Sequence, residues 1–124
     1  MKPTERGFAH MRLATRYSYR GIRLAWQNEE SFRQEVLVVL IGLPLALWLA
    51  RDTVDFLLLA LPLLLLMCAE LANSAIDATV DRVGEEYHEL SGRAKDMGSA
   101  AVFMAIAIVV LSWTTVCLSI FYFN

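Results

Sequence analysis

Between Glu70 and Asp81 the chain reads Glu-Leu-Ala-Asn-Ser-Ala-Ile-Asp-Ala-Thr-Val-Asp. At about 100° per residue along a helix, with Glu70 taken as zero, Asn73 falls at about −60°, Ser74 at about +40°, Asp77 at about −20° and Asp81 at about +20°. Four polar side chains therefore share a face with Glu70, while Leu71, Ile76 and Val80 take the other side. Glu70 directly follows the apolar run Leu57–Ala69, which sets it at the edge of a hydrocarbon layer. A charge there costs about 2.5–3.5 kcal/mol even on insertion scales, so an intramembrane carboxylate is by default a functional group. Carboxylates gathered with an Asn and a Ser suit a divalent cation or a positively charged partner. The competing reading is a helix–helix hydrogen-bond cluster that locks a bundle or an oligomer.

Further polar groups crowd the next stretch. Glu85, Glu86, Tyr87, His88 and Glu89 are followed by Ser91, Gly92, Arg93, Lys95 and Asp96, and Gly84 is predicted to end the preceding helix. Solvated loop charge is the plain alternative. His10 and His88 are the only histidines, and neither has a partner at zinc-ligand spacing. No glycine-rich phosphate loop and no nucleophile elbow is present. Cys68 and Cys117 sit inside apolar blocks and read as small buried hydrophobes, not as a disulfide or metal pair. No basic patch interleaved with aromatics supports nucleic-acid binding. The residues alone leave metal–nucleotide chemistry, ion transport and oligomer assembly open.

The elements that must position these groups are helical and membrane-borne. The 124 residues suit one domain, and 57% are hydrophobic with a mean hydropathy of +0.49, against about 45–50% apolar in soluble domains. The excess gathers in three uncharged blocks, Val36–Ala50, Phe56–Ala69 and Gly98–Asn124. Only the third reaches the roughly 20 residues that cross a bilayer core unaided. The first two extend into flanking helix, Phe32–Ala50 and Val54–Val80, and a chain this small lacks the polar residues to cover three such stripes in water. The expected fold is an all-α integral membrane protein. Its spans cover about 29–50, 54–83 and 97–121, with a polar loop at 84–96 and a surface helix over about 5–27. In that first helix Phe8, Met11, Ala14, Ser18, Ile22, Ala25 and Trp26 recur at helical spacing, and Arg12, Arg16, Arg20 and Arg23 fall on other faces where lipid phosphates lie. Glu29-Glu30-Ser31 marks a break before the first span. The long polar, basic start is the wrong layout for a secretory signal peptide. The run Gly98-Ser99-Ala100-Ala101 permits close helix packing.

Charge sets the orientation. Of eleven Lys and Arg residues, seven precede the first uncharged block, three (Arg82, Arg93 and Lys95) lie between the second and third blocks, and Arg51 alone lies between the first and second. The positive-inside rule puts the N-terminus and the second loop in the cytoplasm, and the Arg51–Asp55 turn and the C-terminus on the far side. Trp48, Tyr122 and Phe123 suit the far interface as aromatic anchors.

The stretch from Glu70 to Ala101 resembles the signature of the prokaryotic diacylglycerol kinase family, which includes undecaprenol kinases. The specific pieces are Asn73-Ser74-Ala75-Ile76, Glu86-Tyr87-His88-Glu89-Leu90-Ser91-Gly92-Arg93-Ala94-Lys95-Asp96 and Met97-Gly98-Ser99, with Asn28-Glu29 followed by Phe32-Arg33-Gln34-Glu35. The similarity runs from about Gly7 to Trp113, and His88–Asp96 resembles the Gram-negative diacylglycerol kinase branch. The resemblance implies a homotrimer in the bacterial inner membrane with active sites shared between subunits. It also implies transfer of the ATP γ-phosphoryl group to the free hydroxyl of diacylglycerol, giving phosphatidic acid, with Mg2+.

Roles follow position by position. Glu70 matches the general base and Asn73 a residue that orients the base or ligand. Glu29 and Asp77 match the metal-binding carboxylates, and both also contact nucleotide. His10, Tyr17, Glu86, Tyr87, His88, Lys95 and Asp96 match further nucleotide positions. Positions matching lipid contacts are His10, Ala14, Thr15, Arg16, Tyr17, Ser18, Tyr19, Arg23, Leu24, Ala25 and Trp26 in the surface helix. In the first span they are Ser31, Phe32, Arg33, Gln34, Glu35, Trp48, Leu49 and Ala50. Arg51, Phe56, Glu70, Ser99, Trp113, Thr114, Thr115, Val116, Cys117 and Leu118 complete the set. Two residues depart from the pattern: Asp77 stands where the family has Glu, and His10 where it has Arg. Kinases for undecaprenol or another lipid alcohol, and a non-enzymatic trimer with an acidic ion-binding cluster, are the alternatives.

Overall fold

The structure, a computed structural model, describes residues 3–84, 86 and 88–123, and side chains from Gly7 onward. Tyr87, expected among the nucleotide contacts, lies outside the described residues. Four helices follow one another: α1 (Pro3–Asn28), α2 (Glu30–Leu49), α3 (Thr53–Val83) and α4 (Glu89–Phe121). The last three are long and apolar enough to cross a membrane, and the chain is an all-α membrane protein.

Helix α1 keeps its apolar face uncovered. Phe8, Met11, Ile22 and Trp26 are exposed and, among its described side chains, only Ala25 is buried, as befits a helix meant for a lipid surface. Its end is set by Glu29, a single residue in extended backbone (φ −119°, ψ 110°). The Arg33 guanidinium donates to the Trp26 carbonyl at 2.7 Å, supplying a partner to one of the α1 carbonyls that has no intrahelical donor.

Helix α3 packs against both α2 and α4 and has more buried residues than any other helix. Asp52 caps it by accepting from the Asp55 amide at 2.9 Å. Its buried stripe runs Asp55, Leu59, Leu63, Leu66, Glu70, in steps of three and four. Glu70 is therefore the next position of the core-facing row, which explains why a carboxylate ends up inside. At 31 residues α3 is roughly 46 Å long, more than the ~30 Å of a hydrocarbon core, so its last turns stand in the polar layer.

Helix α4 faces α3 with small residues at a spacing of seven: Ser91, Gly98, Ala105, Ser112 and Ser119. This row lets the backbones approach closely. A Cβ at Gly98 would lie 2.5 Å from Asn73 Oδ1, so any larger residue there must displace the Asn73 side chain. Ser112 Oγ donates to the Leu58 carbonyl, and Trp113 Nε1 to the Leu59 carbonyl at 2.9 Å. The reason is Pro62: it has no N–H to bond Leu58, so α3 exposes a carbonyl in an apolar layer and α4 supplies the missing donor. At the far end Arg51 bonds Asp55 at 2.8 Å and Ser119 Oγ at 3.0 Å, tying the α2–α3 turn to α4.

One expectation needs adjustment. The polar loop expected over 84–96 is shorter, because α4 begins at Glu89, where the His88 imidazole Nδ1 accepts from the Leu90 amide at 3.1 Å and caps the helix. Gly84 ends α3 as expected, in extended backbone.

Candidate active site

Glu70 is 4% exposed. Ser31 Oγ donates to its Oε1 at 2.6 Å, and the Glu35 carboxyl, one turn along α2 from Ser31, lies within hydrogen-bonding reach of it. The carboxyl thus sits between α3 and α2 with its depth set by the core row below it.

The rest of the α3 polar stripe is divided among neighbours. Asn73 turns to α4, its Oδ1 buried against Gly98 with no hydrogen-bond partner among the described residues. One turn beyond the half-buried Asp77, Asp81 pairs with Lys95 Nζ at 2.7 Å. Lys95 stands ahead of the apolar part of α4. The hydrogen bond to Asp81 raises its ammonium above the ordinary lysine range, with Asp81 and Asp77 charge adding and desolvation opposing. These residues border a cleft of about 480 Å³ lined by Val80, Asp81, Gly84, Glu86, His88, Ser91, Gly92 and Lys95. The cleft sets one cation, held by Asp81, beside a capping imidazole and two carboxylates, Asp81 and Glu86.

Glu29 lies on another flank. It borders an apolar groove of about 650 Å³ between α1 (Ser18, Gly21, Ile22, Leu24, Ala25, Asn28) and α3 (Leu71, Ser74, Ala75, Ala78). Among the described residues no three His, Cys, Asp or Glu side chains converge as a metal site. Magnesium needs no such cluster: one or two carboxylates with substrate phosphates suffice. Glu29 and Asp77 are both half-buried hard-oxygen donors, the right type for magnesium, but within one chain Glu29 lines the separate α1–α3 groove.

The structure thus brings Ser31, Glu35 and Glu70 together, and separately Glu86, His88 and Lys95, with Asp96 exposed nearby on α4. It does not bring the α1 residues His10 and Tyr17 into the cleft; both are exposed. Ser18, Leu24 and Ala25 line the groove. Phe32 and Val116, matched to lipid contacts, are buried at 0% and 4% exposure and present no surface to a lipid within one chain. Leu49, Phe56, Trp113 and Val116 pack around Ala46 and Leu59 at the far end. Phe56 is fourteen residues from Glu70, about 21 Å along α3, so these positions can meet only the acyl end of a lipid whose head reaches Glu70. Arg51 is engaged with Asp55 and Ser119. The sequence reading gave neither the Asp81–Lys95 pair nor the Glu35–Glu70 contact. The first had a signal in Asp81, one helical turn after Asp77 on the same face. The second needed the α2–α3 register.

Fold and site together define a small three-span membrane protein with a buried carboxylate beneath a polar cleft. The chain matches the family model described as prokaryotic diacylglycerol kinase over residues 16–117. It is similar to the diacylglycerol kinase of Escherichia coli (52% identity over 107 residues, 86% of this chain and 88% of the relative). The Haemophilus influenzae diacylglycerol kinase is 45% identical over 107 residues, covering 86% and 91%. One from Helicobacter pylori is 40% identical over 111 residues, covering 90% and 87%. The chain belongs to the prokaryotic diacylglycerol kinase family and is a membrane-borne kinase.

Proposed function

We propose that the chain transfers the γ-phosphoryl group of ATP, in the presence of Mg2+, to the free hydroxyl of diacylglycerol, yielding phosphatidic acid at the cytoplasmic face of the inner membrane. Family membership supports the acceptor. The observation that carries the mechanism is Glu70: a carboxyl 4% exposed, oriented by Ser31, at the depth where a lipid hydroxyl arrives. Glu70 takes the hydroxyl proton as the lipid oxygen bonds to phosphorus and the bond to the ADP oxygen breaks. Lys95 neutralises charge on the transferring phosphoryl oxygens, for which it must turn from Asp81 toward the ligand. Asn73 offers a buried amide to orient the base or ligand, and the cleft with Glu86, His88 and Asp96 receives the nucleotide. Glu29 and Asp77 would hold the metal, whose charge offsets that of the phosphates. The exposed His10 and Tyr17 on α1 are free to complete the site of a neighbouring copy, in keeping with a homotrimer. The basic N-terminus and α3–α4 connection favour the cytoplasmic side for this end.

Purified protein in mixed micelles with radiolabelled ATP, offered diacylglycerol and undecaprenol separately, tests the reading. Labelled phosphatidic acid is expected. Labelling of undecaprenol in preference would move the chain to the other branch of the family.

A further inference from the structure

Glu70 is met from α2 by two residues one turn apart. Ser31 donates to its Oε1 at 2.6 Å. The Glu35 carboxyl lies against the Glu70 carboxyl, yet Glu35 Oε2 is buried with no hydrogen-bond partner among the described residues. Two buried acceptors facing each other are costly, and two carboxyls in contact do not both ionise. A proton on one of them turns the clash into a hydrogen bond. Glu70 already accepts a hydrogen bond from Ser31, whereas Glu35 Oε2 has no partner among the described residues. The proton therefore belongs on Glu35.

We infer that Glu35 is a positioning residue that works as a neutral acid, donating its O–H to the Glu70 carboxylate. With Ser31 it holds that carboxylate in one orientation for the lipid hydroxyl. Glu35 keeps its own proton throughout the transfer, while the proton of the lipid hydroxyl passes to Glu70. This inference rests on Glu70 being the base.

Glutamine copies a protonated glutamate in shape and in donor, which gives the test. In mixed micelles, kcat and KM for lipid and for ATP are measured for Glu35→Gln, Glu35→Ala, Glu35→Asp and Glu70→Gln. Glu35→Ala is expected to lower kcat about ten- to hundredfold, the size of a lost charge-assisted hydrogen bond, with KM for ATP within about twofold. Glu35→Gln is expected to restore kcat to within about threefold of the parent, well above Glu35→Asp. Infrared spectra should show a protonated-carboxyl stretch in the parent that Glu35→Gln removes. If Glu35→Ala fails to fold, the Gln-over-Asp order and the infrared band decide. Glu35→Gln as inactive as Glu35→Ala or no better than Glu35→Asp, a change in lipid KM alone, or a band that survives in Glu35→Gln would overturn the inference. Activity surviving in Glu70→Gln would instead overturn the reading of Glu70 as base.

Discussion

Ser112 and Pro62 form a pair whose energetics can be worked from geometry. Pro62 has no N–H, so the Leu58 carbonyl lacks its intrahelical donor, and the Ser112 hydroxyl on α4 takes that place. Replacing Ser112 by Ala leaves a carbonyl unsatisfied in an apolar layer, a loss of about 1–2 kcal/mol, since interhelical hydrogen bonds in membranes are worth about 0.6 and at most ~1.7 kcal/mol in measured cycles and somewhat more in model peptides. Pro62→Ala returns an N–H to Leu58. In that background Ser112→Ala is expected to cost less than about 0.3 kcal/mol, within the scatter of independent sites. The assay is equilibrium unfolding in mixed micelles with rising sodium dodecyl sulfate, followed by helical circular dichroism, for the parent, both single variants and the double variant. Trp113→Phe is the control: Leu59 has Leu63 to bond with, so the cost of losing the 2.9 Å indole bond should depend far less on Pro62. Equal costs of Ser112→Ala with and without Pro62 would refute the account of how α3 and α4 are joined.

The remaining predictions concern the site. Gly98→Ala forces a methyl to within 2.5 Å of Asn73 Oδ1 and 3.4 Å of Ile76 Cδ1. It is expected to cost about 1–3 kcal/mol in the same unfolding assay and to lower kcat through displaced Asn73. Asp77→Ala should weaken the Mg2+ dependence or ATP binding with the helical fold retained, checked by magnesium titration of activity; an unchanged titration counts against its ligand role. Lys95 is held protonated by Asp81, so the pair persists through neutral pH and opens only as pH rises beyond the ordinary lysine range. Asp81→Asn should therefore speed amine-selective labelling of Lys95 severalfold at mildly alkaline pH, read by mass spectrometry of the peptide.

Much of the fold was legible because hydrophobic blocks and charge are strong signals. Three uncharged runs gave three spans, and Glu29-Glu30-Ser31 marked the α1–α2 junction that the structure bends at Glu29 alone. The start of α4 was less legible: charges at Glu89, Arg93, Lys95 and Asp96 read as loop, whereas the His88 cap starts the helix there. The site was legible as a stripe on α3, because periodicity alone puts Glu70, Asn73, Asp77 and Asp81 on one side. How that stripe is shared out was not. Glu70 turns to Ser31 and Glu35, Asn73 to Gly98 and Asp81 to Lys95, and these partners depend on the register of α2 and α4 against α3. Helical periodicity fixes direction around one axis and says nothing of sliding along a neighbour. Glu35 is the plainest case: as a sequence position it was one of many lipid contacts, and only the α2–α3 packing sets it against Glu70.

The central claim is that a buried carboxylate at the hydrocarbon edge deprotonates a lipid hydroxyl. Glu70→Gln keeps shape and burial and removes the base, so phosphorylation of diacylglycerol by radiolabelled ATP should fall by about a hundredfold or more with the circular dichroism and elution volume of the parent. A folded Glu70→Gln protein that phosphorylates lipid at more than about a tenth of the parent rate would contradict it.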